Sequence, residues 1–157
     1  MKPIRVYLEA GSKKTFAGAL DWPGWSRSGR DEDSALGVLL DYGSRYARAL
    51  RGSRLGFRAP TALTEFAVIE RLEGNSTTDF GAPAVATSVD TNPIGAPEFR
   101  RFLAILKASW KSFDAAVQGE YPVEGPRGGV RWSPRYFVRR VAWHALDHAW
   151  EIEDRLK

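Results

Sequence analysis

This sequence predicts an α+β fold: a small antiparallel sheet with one packed helix, plus a C-terminal antiparallel helix hairpin. Three observations predict it. Short runs near the start alternate apolar and polar side chains at the two-residue period of strands. Two long stretches after residue 97 carry apolar residues at the three and four spacing of a helix face. The segments between them are dense in Gly and Pro, which break both patterns.

Residues 4–9 (IRVYLE) and 15–20 (TFAGAL) are the first two strands, joined by the turn-like AGSKK. The stretch DWPGWSRSGRDED then brings Pro23, Gly24 and Gly29 before a run of acids opens a helix at Asp31, where carboxylates offset the positive end of the helix dipole. Leu36, Leu39, Leu40, Gly43, Ala47 and Leu50 continue that helix on one face until Gly52 and Ser53 end it. Residues 65–72 (EFAVIERL) read as a third strand, and 74–97 as mostly loop. A second helix runs from Pro97 to Gln118 with Phe99, Phe102, Leu103, Leu106, Trp110, Phe113 and Val117 on one stripe. The connection 120–134 (EYPVEGPRGGVRWSP) leads into a third helix from Ser133 or Pro134, striped by Val138, Val141, Ala142, Ala145, Ala149, Ile152 and Leu156.

Charge gives the two long helices a direction. The third is basic where it begins (Arg135, Arg139, Arg140) and acidic where it ends (Glu151, Glu153, Asp154), against the preference of its own dipole. Laid antiparallel to the second, its acidic end meets Arg100 and Arg101 and its basic start meets Asp114 and Glu120. Such exposed pairs contribute only about 0.2–1 kcal/mol each, enough to orient a hairpin and little more.

The bulk numbers bound the function. At 157 residues and 17.5 kDa the chain is expected to form one domain, residues 1–157, with a ββαβ part over 1–75 and the hairpin over 97–157. The absence of Cys excludes disulfides, thiolate metal sites and cysteine nucleophiles. MKPIRVYLEA lacks the pattern of a signal peptide, and no run approaches the roughly 18 apolar residues of a membrane span, so a cytoplasmic protein without a membrane is expected. A net charge of +4 spread along the chain attracts anions weakly and is no nucleic-acid footprint.

Residues 16–46 (FAGALDWPGWSRSGRDEDSALGVLLDYGSRY) resemble the N-terminal part of HicB-like antitoxins through Leu20, Pro23, Gly24, Gly29, Glu32, Ala35 and Leu36. The resemblance implies a small sheet with a packed helix and a non-enzymatic role in binding a partner protein. The stretch RYFVRRVAWHALDHAWEIEDR is similar to the last helix of DinB-like four-helix-bundle proteins, where an H-x-x-x-H pair joins a third His to bind a divalent metal. His144 and His148 match that pair, and this chain has no third histidine.

Two imidazoles four residues apart lie about 40° apart on a helix, close enough to share a metal. Glu151 falls near the same line but about 10 Å along the axis from His144, a strained reach for one helix. Asp41, Glu65 and Glu70 are the other candidate third ligands. Zinc, nickel or iron would suit such a set, and an open position on the metal would activate water. The competing account makes both histidines boundary residues bonded to neighbours. Trp143 and Trp150 on the opposite flank, with Trp22, Trp25, Trp110 and Trp132, would line a small-ligand pocket or fill a packing seam. Arg127 and Arg131 around Gly128 and Gly129 would form an anion nest, or serve a plain connection.

No reaction can be read from these residues. The expected function is small-molecule binding, with or without a divalent metal, in a cleft beside the last helix. The alternative is a HicB-like antitoxin or other protein-interaction module.

Overall fold

The structure is a computed structural model that describes residues 2–118 and 134–156. Its contacts cluster into two units, Met1–Ser112 and Phe113–Lys157, each taken by itself below.

The first unit is built on a four-stranded sheet in the order β3-β2-β1-β4, formed by β1 (Ile4–Ala10), β2 (Thr15–Ala19), β3 (Ser26–Gly29) and β4 (Phe66–Glu73). Alternation in β1 sends Val6 and Leu8 into the core and Tyr7 and Glu9 to the other face, and the central strand β2 is buried along its whole length. β1 and β2 pair antiparallel with Val6 opposite Ala19 and Ala10 opposite Thr15. The α+β class holds, but the sheet is mixed: β4 runs parallel to β1, not antiparallel as the sequence led us to expect. A parallel neighbour needs a long crossover, and the chain supplies one through α1 (Glu32–Asp41), α2 (Gly43–Ala49) and the segment before residue 66. The register shifts between Val6 and Tyr7, leaving Ile69 as an extra, exposed residue of β4.

α1 starts at a reciprocal cap. The Asp31 carboxylate accepts from the Ser34 amide at 2.8 Å, while the Asp31 amide donates to the Ser34 hydroxyl at 3.1 Å. The expected single helix is broken at Tyr42, and Gly43 begins α2 in a tight place where an added Cβ would meet Pro60 at 3.2 Å and the Trp25 ring at 3.4 Å. Ala35, Leu39, Tyr46 and Leu50 pack from these helices onto Val6, Leu8, Ala17 and Trp25. Within the 74–97 region, the short helix α3 (Ser76–Phe80) is capped by Asn75.

α4 (Ala96–Gln118) enters the core by a face displaced to one side of its apolar stripe and sharing only Phe102 with it. Ile105 and Ala108 are buried among the core residues, with Phe102 partly buried beside them. Phe99, Leu103, Leu106 and Trp110, the centre of the stripe, remain 38–63% exposed. On that side the large Ile105 stands between the small Ala104 and Ala108.

In the second unit α5 (Pro134–Arg155) is a single long helix, as its periodicity predicts. The preceding connection, including Arg127 and Arg131, lies outside the described residues. Among the described residues no helix is long and apolar enough to cross a membrane.

Candidate functional site

The aromatic turn at residues 22–25 is where the sequence signal and a concave surface meet. Trp25 is buried and donates from its indole N–H to the Leu39 carbonyl at 3.0 Å, and its ring stacks on Tyr46 with centroids 5.7 Å apart. The Tyr46 hydroxyl donates back to the Pro23 carbonyl at 2.9 Å, which fixes the turn to α2. Trp22 lies edge-on to Phe57 at 4.7 Å and carries the Arg101 guanidinium 4.2 Å above its ring. Both tryptophans of WPGW fasten the turn, and a concave surface lies beside it.

That surface is a groove of about 460 Å³ whose apolar lining is Leu20, Pro23, Val89, Ile94 and Phe102. Polar groups of both signs open into it: Arg5, Asp90, Asn92 and Glu98. Arg5 is held by Asp21, donating from Nε at 2.9 Å and from Nη2 to the other carboxylate oxygen. The hydrogen bonds from Arg5 hold the Asp21 carboxyl below its ordinary range, and the same bonds raise Arg5. Asp90 accepts from the Thr87 amide at 2.7 Å and from its hydroxyl at 2.9 Å, which sets one wall. A smaller recess of about 180 Å³ adjoins through shared Leu20, Pro23 and Asp90, and brings in Tyr7, Ser26 and Thr87. Burial pushes the Tyr7 hydroxyl above its ordinary pKa.

The residues singled out from the sequence sit elsewhere. His144 and His148 are exposed on α5, and their rings meet edge to face with centroids 4.4 Å apart, as the four-residue spacing requires. Trp150 is 55% exposed on the same helix. Trp143 and Glu151 also belong to α5, with their side chains outside the described set. Of the candidate third ligands, Glu65 accepts from the Thr61 amide at 2.6 Å and from Arg58 at 2.9 Å, and Glu70 accepts from the Ser88 amide and hydroxyl, each at 3.0 Å. Asp41 is exposed at the end of α1. Among the described residues no group of three or more His, Asp or Glu side chains is placed to hold a metal ion.

Arg5, Asp90, Asn92 and Glu98 carried no signal in the sequence. Asp90, Asn92 and Glu98 lie close together before and at the start of α4, whereas Arg5 is distant in sequence on β1 and joins them only in the fold. No family model, curated protein or solved structure matches this chain.

Proposed function

We propose that the protein binds a small zwitterionic molecule, such as an amino acid or a close relative, in the groove beside the aromatic turn. What supports this reading is the composition of the groove: about 460 Å³, within the roughly 300–1,000 Å³ typical of small-ligand sites, with apolar walls and a few charged groups of both signs. Arg5 would meet an anionic group through the donors that Asp21 does not occupy, Glu98 a cationic one, and Phe102 with Ile94 the apolar part. This groove belongs to the first unit, whereas the histidine pair and Trp150 belong to the second.

The test is a titration with the twenty protein amino acids and their decarboxylated amines, followed by backbone amide shifts in NMR. Binding there moves the amides of Val89, Asn92 and Ile94 together with those of Leu20 and Gly24, and Glu98→Gln weakens it. A panel that moves none of these amides rejects the reading.

A divalent metal at His144 and His148 is a separate proposal, supported by two imidazoles in contact on an exposed helix face. Zinc titration calorimetry at neutral pH tests it, and the absence of binding tighter than roughly micromolar removes it.

A second reading, a cytoplasmic HicB-like interaction module, is favoured by β4. It closes one side of the sheet, no described strand pairs with its outer edge, and such an edge accepts a partner's strand. Under that reading Ile69→Pro abolishes capture of the partner, while under the first it leaves amino-acid binding intact.

A further inference from the structure

Two stretches of this chain are basic and free of acids. From Gly43 to Thr64 there are five arginines and no carboxylate, and from Phe99 to Phe113 there are Arg100, Arg101, Lys107 and Lys111, again with no carboxylate. Each alone reads as an ordinary solvated flank. In the fold they face each other, because the end of α2 and the middle of α4 form the two sides of a groove of about 250 Å³.

Arg51, Lys107 and Lys111 line that groove, with no acidic residue in its lining. The three make no ion pair among the described residues, whereas Arg5, Arg58 and Arg71 each have a carboxylate partner. The floor is small throughout: Ala49, Gly52, Ala104 and Ala108. The lack of long side chains at these positions leaves the concavity open. Ser53, also in the lining, accepts the Leu55 amide at 3.4 Å on its hydroxyl oxygen, which leaves the hydroxyl proton to donate. Gly52 at φ +85° turns the chain sharply after α2 and sets Arg51 and Ser53 at the rim.

We infer that this groove is a site for a compact anion carrying two phosphoryl groups, either as a diphosphate or as a bisphosphorylated metabolite. Three convergent cations match a charge near −3, and one hydroxyl donor adds a directed hydrogen bond. The size falls below that of a drug-sized pocket, which suits a phosphate cluster more than a whole nucleotide. A nucleic-acid strand is disfavoured because the lining has no aromatic face on which a base would stack. The site shares no lining residue with the groove beside the aromatic turn and does not depend on it.

The experiment is calorimetric titration of the full chain with sodium pyrophosphate at fixed ionic strength, with sodium sulfate as the reference anion. Pyrophosphate binds roughly tenfold or more tightly than sulfate, and the Lys107→Glu, Lys111→Glu double variant loses at least that factor. Both lysines are exposed, so circular dichroism of the variant is expected to match the parent chain. Equal heats for the two anions, or an unchanged affinity in the double variant, overturn the assignment. Binding of a single-stranded RNA oligonucleotide that needs both lysines and is not displaced by pyrophosphate overturns it as well. Displacement of a diphosphate by a bisphosphorylated sugar, at lower concentration than by pyrophosphate, identifies the metabolite as the source.

Discussion

The Thr78 hydroxyl donates to the Glu9 carboxylate beneath the sheet, where both side chains are fully buried. The same carboxylate accepts from the amides of Ala84 at 3.0 Å and Val85 at 3.2 Å. No Lys or Arg pairs with it among the described residues, and these three donors satisfy its buried oxygens. Glu9 thereby fastens α3 and the chain after it onto the face of β1 opposite the helices. Glu9→Ala leaves a hydroxyl and two amides without an acceptor and is expected to cost about 2–4 kcal/mol in urea denaturation. Glu9→Gln keeps one carbonyl acceptor and loses less. Amide exchange at Ala84 and Val85 accelerates in both variants if the attachment is as described; unchanged exchange there removes this account.

A second prediction separates two glycines of the same connection. A Cβ on Gly29 would lie 2.4 Å from the Ala35 nitrogen and 2.6 Å from the Ser34 carbonyl carbon, both backbone atoms of the capped turn of α1. Neither can yield without undoing the Asp31 cap. Gly24 has open space around it, and its demand is conformational, with φ at +86°. Gly29→Ala is therefore expected to cost about 2–3 kcal/mol through overpacking, and Gly24→Ala about 1 kcal/mol through backbone strain. Chemical denaturation of the pair checks the order, and an equal loss in both would contradict it.

These particulars also mark what was legible in the sequence. β1, β2, β4 and the three helical regions follow from side-chain periodicity and caps, which are local. β3 did not, because SRSG has no apolar alternation and joins the sheet through its backbone pairing to β2. The parallel direction of β4 is a property of the crossover, not of FAVIERLE. The buried face of α4 is displaced from the expected stripe, because Ile105 and Ala108 pack inward beside Phe102 while the more apolar Leu103, Leu106 and Trp110 stay exposed. On the functional side, the contact of His144 with His148 was fixed by spacing on one helix. The groove was not readable, since Arg5 on β1 meets the Asp90 to Glu98 segment only in the fold and that segment reads as loop and helix start. Only the aromatic turn pointed toward it, and its indoles proved to hold the wall in place.

Acid stability rests on carboxylates tied to backbone amides. Asp79 accepts from the amides of Lys13 at 2.7 Å, Ser12 at 3.1 Å and Lys14 at 3.3 Å, closing the turn between β1 and β2. The Lys13 amide is the main cause holding its carboxyl below the usual range; Thr61 does the same for Glu65, and Arg5 for Asp21. A folded-state pKa below the unfolded one means stabilisation in place above about pH 4 and lost as pH falls through the folded value. Thermal melts are expected to be level between about pH 5 and 7 and to decline steeply below about pH 4. Asp79→Asn makes that decline shallower and speeds amide exchange at Lys13. A decline of unaltered slope in the variant would count against the role of this carboxylate.

At the alkaline end the opposite sign applies to Tyr46. Its ring is buried against Trp25, its hydroxyl donates to the Pro23 carbonyl, and burial raises its pKa to about 12. For an acid whose folded pKa is raised, the stabilisation is complete below the unfolded value of about 10 and disappears as pH climbs from there through the folded value. The phenolate would have to leave the core to gain its hydration, so ionisation and loosening of the turn are one event. Absorbance at 295 nm is therefore expected to show Tyr46 titrating late, together with alkaline unfolding followed by Trp fluorescence. Tyr46→Phe removes the late titration and costs about 1 kcal/mol for the lost hydrogen bond at neutral pH. If the parent chain instead releases all five of its tyrosine protons near pH 10 while still folded, the turn is not sealed by this ring, and the wall of the groove formed by Pro23 is mobile.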